Sequence, residues 1–306
     1  MRILVTGGAG FIGSHLVDAF LDAGHDVAVI DDLSSGSRDQ VPAGARFHHA
    51  DVRGEEAARI VADEKPEVLC HHAAQMNVRL SVEDPAFDAD VNILGLLRVL
   101  EAARRVGTRR TIFASSGGTV YGDVEAVPTA EEHPTVPMCP YGVSKLTGEM
   151  YLEYYRHIHG MSYAALRYAN VYGPRQNPHG EAGVIAIFAR SLLAGQGGRI
   201  YGDGLQTRDF LFVGDVVKAN LAAVASAWCG AVNIGTGVET SVVELHARMR
   251  RLTGRDVLPE HAPAKDGEVR RSVLAAARAE AVLGWKPSVT LDEGLAATVD
   301  FFRSRP

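Results

Sequence analysis

Thr6-Gly7-Gly8-Ala9-Gly10-Phe11-Ile12-Gly13 follows directly on the apolar run Ile3-Leu4-Val5 and leads into a helical pattern from Ser14 to Ala23. A short β-branched run, a glycine-rich turn and a helix in that order mark the opening of a dinucleotide-binding βαβ unit. The tight turn lets backbone N–H groups and a helix N-terminus approach a pyrophosphate. The spacing satisfies GxGxxG through Gly8, Gly10 and Gly13, and the wider GxxGxxG through Gly7, Gly10 and Gly13. About twenty residues on, Val27-Ala28-Val29-Ile30 ends in Asp31-Asp32, where an acidic side chain accepts from a ribose hydroxyl. A carboxylate there repels a 2′-phosphate, which selects NAD over NADP. Arg38 is the one nearby opposing charge.

The chain has 306 residues, 46% of them hydrophobic, so it can bury a sizeable core as one large domain or two. Its net charge of −6 and lack of a dense Lys/Arg block exclude a nucleic-acid surface. Cys70, Cys139 and Cys229 are odd in number and far apart, which reads as reduced, buried thiols rather than a disulfide frame or metal site. No apolar run approaches the length of about eighteen residues that a membrane span needs. The first strand begins at residue 2, so no signal peptide is expected, and the expected setting is the cytoplasm.

Apolar runs and amphipathic stretches alternate through the first half. The pattern predicts strands at Ile3–Thr6, Asp26–Ile30, Arg46–His49, Val68–His71, Arg110–Ala114 and Ser162–Arg167, with helices near 12–23, 55–63, 85–106 and 140–159. Such alternation implies a Rossmann-type, doubly wound parallel sheet that collects ligands at its C-terminal strand edge. After Ala169 the loops become rich in Gly, Pro and Asn, as in Gly173-Pro174-Arg175-Gln176-Asn177-Pro178. The expected division is a dinucleotide-binding domain over 1–168 plus about 208–236, and a smaller, discontinuous substrate lobe over 169–207 and 237–306. A strand-like run, Ala231 to Gly235, lies in the returning piece.

Two further segments carry chemistry. In Tyr141-Gly142-Val143-Ser144-Lys145 the tyrosine and lysine stand at i and i+4 on one helix face, so an ammonium sits beside a phenol. A cation there favours the phenolate, as a general base requires. Ser115-Ser116-Gly117-Gly118-Thr119-Val120-Tyr121-Gly122 follows the predicted strand Arg110–Ala114, at the ligand edge of the sheet. Hydroxyls at that edge can bond a substrate hydroxyl undergoing proton transfer.

Together these residues resemble the extended short-chain dehydrogenase/reductase superfamily and, within it, the NAD-dependent nucleotide-sugar epimerases of the UDP-glucose (UDP-galactose) 4-epimerase kind. The resemblance covers nearly the whole chain. It includes TGGAGFIG, HHAAQ at 71–75, Asn92 in VNILG, SSGGTVYG, YGVSK, RYANVYGPRQ at 167–176, YGDGLQTRDFLFVGDV at 201–216 and LGWKP at 283–287. It implies a UDP-hexose 4-epimerase acting through a transient 4-keto sugar, with UDP-uronate 4-epimerases and nucleotide-sugar dehydratases or decarboxylases as alternatives on the same fold. By this similarity Tyr141 is the base and Lys145 binds the nicotinamide ribose and tunes Tyr141. Gly7, Gly10, Phe11, Ile12 and Gly13 would cradle NAD, Asp31 and Asp32 its ribose, and Asp51 and Val52 its adenine. Ala73, Ala74, Asn92 and Ser115 would line the groove, with Tyr168 close to the nicotinamide. Asn170 would hold the sugar-nucleotide phosphates, Arg208 would pair with the diphosphate, and Tyr201 would pack on the uracil.

Some positions depart from the family pattern. A Ser or Thr common two residues before Thr119 is Gly117 here, which leaves Ser116 or Thr119 as the hydroxyl partner of Tyr141. A late phosphate-binding arginine corresponds to Lys265, which keeps the charge and loses the bidentate fork. Ser272 stands where several epimerases carry a bulky tyrosine beside the hexose, so an N-acetylated sugar also fits. Gly118-Thr119 replaces the acid pair of dehydratases. Arg175 or Arg271 would serve as the extra cation a uronate needs, while Asn177-Pro178-His179-Gly180-Glu181 reads like the neutral-hexose epimerases. His48-His49 and His71-His72 are expected to hold no metal, because strand neighbours point to opposite faces. Phe210 and Phe212 are expected in the core. The helices near 85–106 and 140–159 form a homodimer bundle if the resemblance holds, as in the superfamily; the sequence alone equally allows a monomer that buries those faces internally.

Overall fold

A computed structural model describes residues 1–178, 183–264 and 269–305. Ile3, Leu4 and Val5 have almost no exposed surface, as befits a strand covered on both faces. That strand, β1 (Arg2–Thr6), is joined by β2 (Asp26–Asp31), β3 (Arg46–His49), β4 (Val68–His71), β5 (Arg110–Ser116), β6 (Ser162–Tyr168) and the run Gly230–Ile234. The seven form one sheet in the order Gly230–Ile234, β6, β5, β4, β1, β2, β3, every neighbouring pair parallel. Strand order reverses beside β1, so the crevice between the C-terminal ends of β1 and β4 is where a ligand settles in such a sheet. The Rossmann-type expectation is met.

Two helical layers cover the sheet. On one face α1 (Phe11–Asp22) and the helix Val213–Ala225 bury Leu16, Val17, Phe20, Val216 and Ala219. On the other, α2 (Glu55–Glu64) and later helices bury Ala57, Ile60, Leu96, Leu100 and Leu152. The expected helix near 85–106 is in fact three pieces behind a short α3 (Val78–Glu83): α4 (Pro85–Ala89), a π turn over Asp90–Gly95, and α5 (Leu96–Arg105). The extra residue of a π turn re-aims side chains, and here it turns Asn92 inward. After β5 come the single turn α6 (Gly117–Val120) and the long α7 (Pro140–His159), which opens on a proline and ends on Gly160 in the left-handed region.

Beyond residue 170 a separate apolar cluster gathers Tyr172, Phe188, Ile200, Phe210, Leu245, Met249, Leu295 and Val299. Phe212 packs against it, in line with the core expectation. Short strands carry the chain back toward the sheet edge. Asn170–Tyr172 pairs with Phe210–Phe212, and Thr207–Arg208 lies between Thr240–Ser241 and Arg271–Ser272.

Candidate active site

Gly7 adopts φ +72°, and a Cβ on it would lie 2.6 Å from the Ala73 nitrogen. A Cβ on Gly13 would overlap the Gly7 carbonyl, so only glycine lets α1 start this close to the turn. The α1 N-terminus has no side-chain cap, which leaves its first N–H groups available to an anion. Asp31, buried at the end of β2, accepts from Ala9 N–H at 2.9 Å and Leu33 N–H at 2.8 Å. Burial pushes its carboxyl above the ordinary value, and those two N–H bonds oppose the shift. Asp32 accepts from the backbone and hydroxyl of Ser34. An uncapped helix start and a glycine-rich turn supply N–H donors suited to a dinucleotide pyrophosphate, and the acid at the second strand is an acceptor suited to its ribose.

The rest of the groove is tied together by polar bonds. Arg53 grips Asp51 through Nε at 2.9 Å, holding that carboxyl below its ordinary value. Val52 packs where a Cβ on Gly95 would come within 2.9 Å. The Ala73 N–H donates to Thr6 Oγ1 at 3.3 Å, and Ala74 beside it is half-buried. Asn92 Oδ1 accepts from Gln75 N–H at 3.0 Å, while its Nδ2 donates to Gln75 O and Asp88 Oδ1. Asn92 thus shapes the loop after β4 with its whole amide.

Tyr141 and Lys145 open α7 at the end of β5. The Lys145 Nζ is buried over two rings, 5.0 Å from the Phe113 centroid and 5.6 Å from that of Tyr141. Burial lowers its pKa to about 8, with Asp88 opposing. Tyr141 does not follow the expectation from its neighbour alone: burial first, then Asp88 and Cys139, raise the phenol, and Ser116 works against them. The Ser116 side chain faces the Tyr141 phenol and favours its ionised form. Thr119 Oγ1 instead turns back to the Ser116 carbonyl at 3.5 Å, and Ser115 Oγ donates to Glu149 at 2.5 Å. Of the alternatives left by Gly117, the structure brings Ser116 to the phenol.

Gly117 and Gly118 differ sharply. A Cβ on Gly117 would overlap Leu274, whereas one on Gly118 would meet only ordinary contacts: Ser272 Oγ at 3.8 Å, Asn170 Oδ1 at 4.0 Å and Ser116 Oγ at 4.0 Å. Ser116, Asn170 and Ser272 therefore border one small volume beside Tyr141. Arg208 is the register partner of Ser272, and its Nη1 donates to Thr207 O at 2.8 Å. Tyr201 is half-buried on the strand Arg199–Tyr201. Lys265 lies outside the described residues.

Tyr168 is not brought to this volume. Strand alternation sends Arg167 toward α7, where it pairs with Glu149 at 2.6 Å, and Tyr168 to the opposite face. There its hydroxyl accepts from Asn220 Nδ2 at 2.8 Å and meets His72 Nε2 at 3.1 Å. Arg271 is clamped by both oxygens of Glu239, and Arg175 pairs with Asp18 at 2.7 Å. Asp88, Gln75 and Ser144, none singled out from sequence, form a buried network under the site. The signal for Asp88 was its i, i+4 spacing to Asn92.

The chain belongs to the NAD dependent epimerase/dehydratase family, whose profile matches residues 3–235. Similarity narrows this further. It is 49% identical over 311 aligned positions to UDP-glucose 4-epimerase of Mycolicibacterium smegmatis, covering 100% of this chain and 99% of that one. The solved UDP-glucose 4-epimerase of Thermotoga maritima, with UDP-glucose, superposes with TM-score 0.97 at 46% identity over 99% of both chains. That of Thermus thermophilus, complexed with NAD, gives 0.95 at 44% identity over 100% of both.

Proposed function

We propose that this chain interconverts UDP-glucose and UDP-galactose by inverting C4, with NAD as a cofactor that emerges unchanged. The observation that carries the reading is the gathering of Ser116, Asn170 and Ser272 around Gly118, with the Tyr141–Lys145 pair on α7 and the glycine turn at the switch point of the same sheet. Bound NAD supplies the hydride acceptor for C4 and a positive charge. Gly7, Gly10 and Gly13 with Phe11 and Ile12 hold its pyrophosphate, and Asp31 its ribose.

Tyr141 takes the proton from the sugar 4-hydroxyl, with Ser116 bonding the same hydroxyl and orienting it. The Lys145 ammonium under the phenol ring stabilises the phenolate. Asn170 and Arg208 anchor the nucleotide phosphates away from the reacting carbon, so the flat 4-keto sugar can turn over and accept hydride on its other face.

A neutral hexose is favoured over a uronate because Arg271 and Arg175 are both engaged by carboxylates. The small Ser272 side chain beside Asn170 supports an N-acetylated sugar as well. An exposed apolar stripe on α7 (Val143, Met150, Tyr154, Ile158), next to Phe87 and Leu94, supports a homodimer joined through this face. No helix among the described residues is long and apolar enough to cross a membrane. The three free thiols support a cytoplasmic setting. Incubation with UDP-glucose, UDP-N-acetylglucosamine and UDP-glucuronate separately, read by NMR, is the test. UDP-glucose is expected to yield its 4-epimer. Net consumption of NAD, or turnover of the glucuronate alone, would overturn the reading.

A further inference from the structure

Asp88 on α4 is fully buried, and three neutral donors converge on its carboxylate. Gln75 Nε2 and Asn92 Nδ2 both reach Oδ1 at 2.9 Å, and Ser144 Oγ reaches Oδ2 at 2.6 Å. The donors come from three separate pieces: the loop after β4, the π turn and the first turns of α7. Ser144 lies between Tyr141 and Lys145 in the chain. Lys145 is also buried, and no hydrogen-bond acceptor reaches its ammonium among the described residues. A buried ammonium without a counter-charge loses its proton.

We propose that Asp88 is a positioning residue: its bond to Ser144 fixes the turn of α7 that presents Tyr141 and Lys145, and its carboxylate is the buried counter-charge to the Lys145 ammonium. The proposal rests on Tyr141 being the base. The other ionisable groups facing Lys145 are Tyr141 on its own helix and His71 and His72 at the end of β4, both kept neutral by burial with pKa values of about 3. Tyr141 faces Asp88 and Cys139. Among the described residues, Asp88 is thus the one anion acting on both groups, and it raises the pKa of each.

Asp88→Asn isolates the charge. Its Oδ1 still accepts from Gln75 and Asn92, and its Nδ2 can donate to Ser144 once that hydroxyl turns. Without the anion, phenolate forms at lower pH and the ammonium is lost at lower pH. Both limbs of the kcat–pH profile of the NAD-loaded protein should therefore move to lower pH together, by about one unit. The ultraviolet tyrosinate signal of Tyr141, taken as the difference from Tyr141→Phe, should move the same way. Ser144→Ala cuts the link to α7 and leaves the charge, so kcat should fall several-fold with the limbs in place.

Limbs and tyrosinate signal that superimpose on the parent's in Asp88→Asn overturn the proposal. Should that variant not fold, Ser144→Ala decides: parental kcat refutes the positioning role, and a fall with unmoved limbs supports it. Parental turnover by Tyr141→Phe would instead sink the assignment of the base, a separate failure.

Discussion

Gly117→Ser places a hydroxyl next to Ser116, and the structure says it will harm the protein. A Cβ at 117 overlaps Leu274 Cδ1 and lies 2.9 Å from Cδ2 and 3.1 Å from Cγ. Leu274 is 1% exposed, packed with Val120, Tyr121 and Val124. Its backbone cannot retreat, because its N–H donates to Asp209 and its neighbours Val273 and Ala275 bond Thr129. The side chain must leave its rotamer inside a full cluster, an overpacking cost of about 1–3 kcal/mol. At about 2 °C per kcal/mol, Tm should fall by about 2–6 °C. Leu274→Ala alone costs about 2–5 kcal/mol by opening a cavity that the serine partly refills in the double variant. Urea denaturation of all four proteins should show the double variant more stable than the sum of the singles predicts, by about 1 kcal/mol or more. Strict additivity, or a Gly117→Ser protein as stable as its parent, would refute the steric account.

Ser272→Tyr fills the volume that Gly118 leaves open, so turnover of UDP-N-acetylglucosamine should fall much further than that of UDP-glucose when both are followed by NMR. His71 and His72 are held down to about 3 by burial, against an ordinary value near 6.5, so the unfolded chain binds more protons in between. Stability is therefore full above about pH 6.5 and declines as pH falls toward 3, by up to about 1.4 kcal/mol per pH unit for each histidine. Tm measured against pH should decline less steeply in His71→Gln than in the parent. Sedimentation is expected to show the parent as a dimer and Ile158→Arg, which places a charge in the exposed α7 stripe, as a monomer.

Features set by local geometry were legible in the sequence. The turn from Gly7 to Gly13 needs residues without a Cβ, and Tyr141 and Lys145 meet through the helical period alone. Features set by distant partners were not. Nothing near Gly117 announces Leu274, which fills the space a side chain would need. Asp88 reads as an ordinary acid on an amphipathic stretch until α7 brings Ser144 against it. The π turn escaped because one extra residue barely disturbs a helical pattern averaged over several turns. Tyr168 shows the reverse case, since the alternation that sends it away from Arg167 was available from the strand pattern itself.

The bonds of Asp31 bear on attempts to retarget the coenzyme. The same two oxygens that would meet a ribose brace the glycine turn at Ala9 and the bend at Leu33, a residue with φ 60°. Swapping Asp31 for a small or basic side chain to welcome a phosphorylated ribose would remove the strut from the phosphate cradle itself. An engineer would have to rebuild the 31–37 connection, where Ser37 N–H also holds Ala9, as one unit with the substitution.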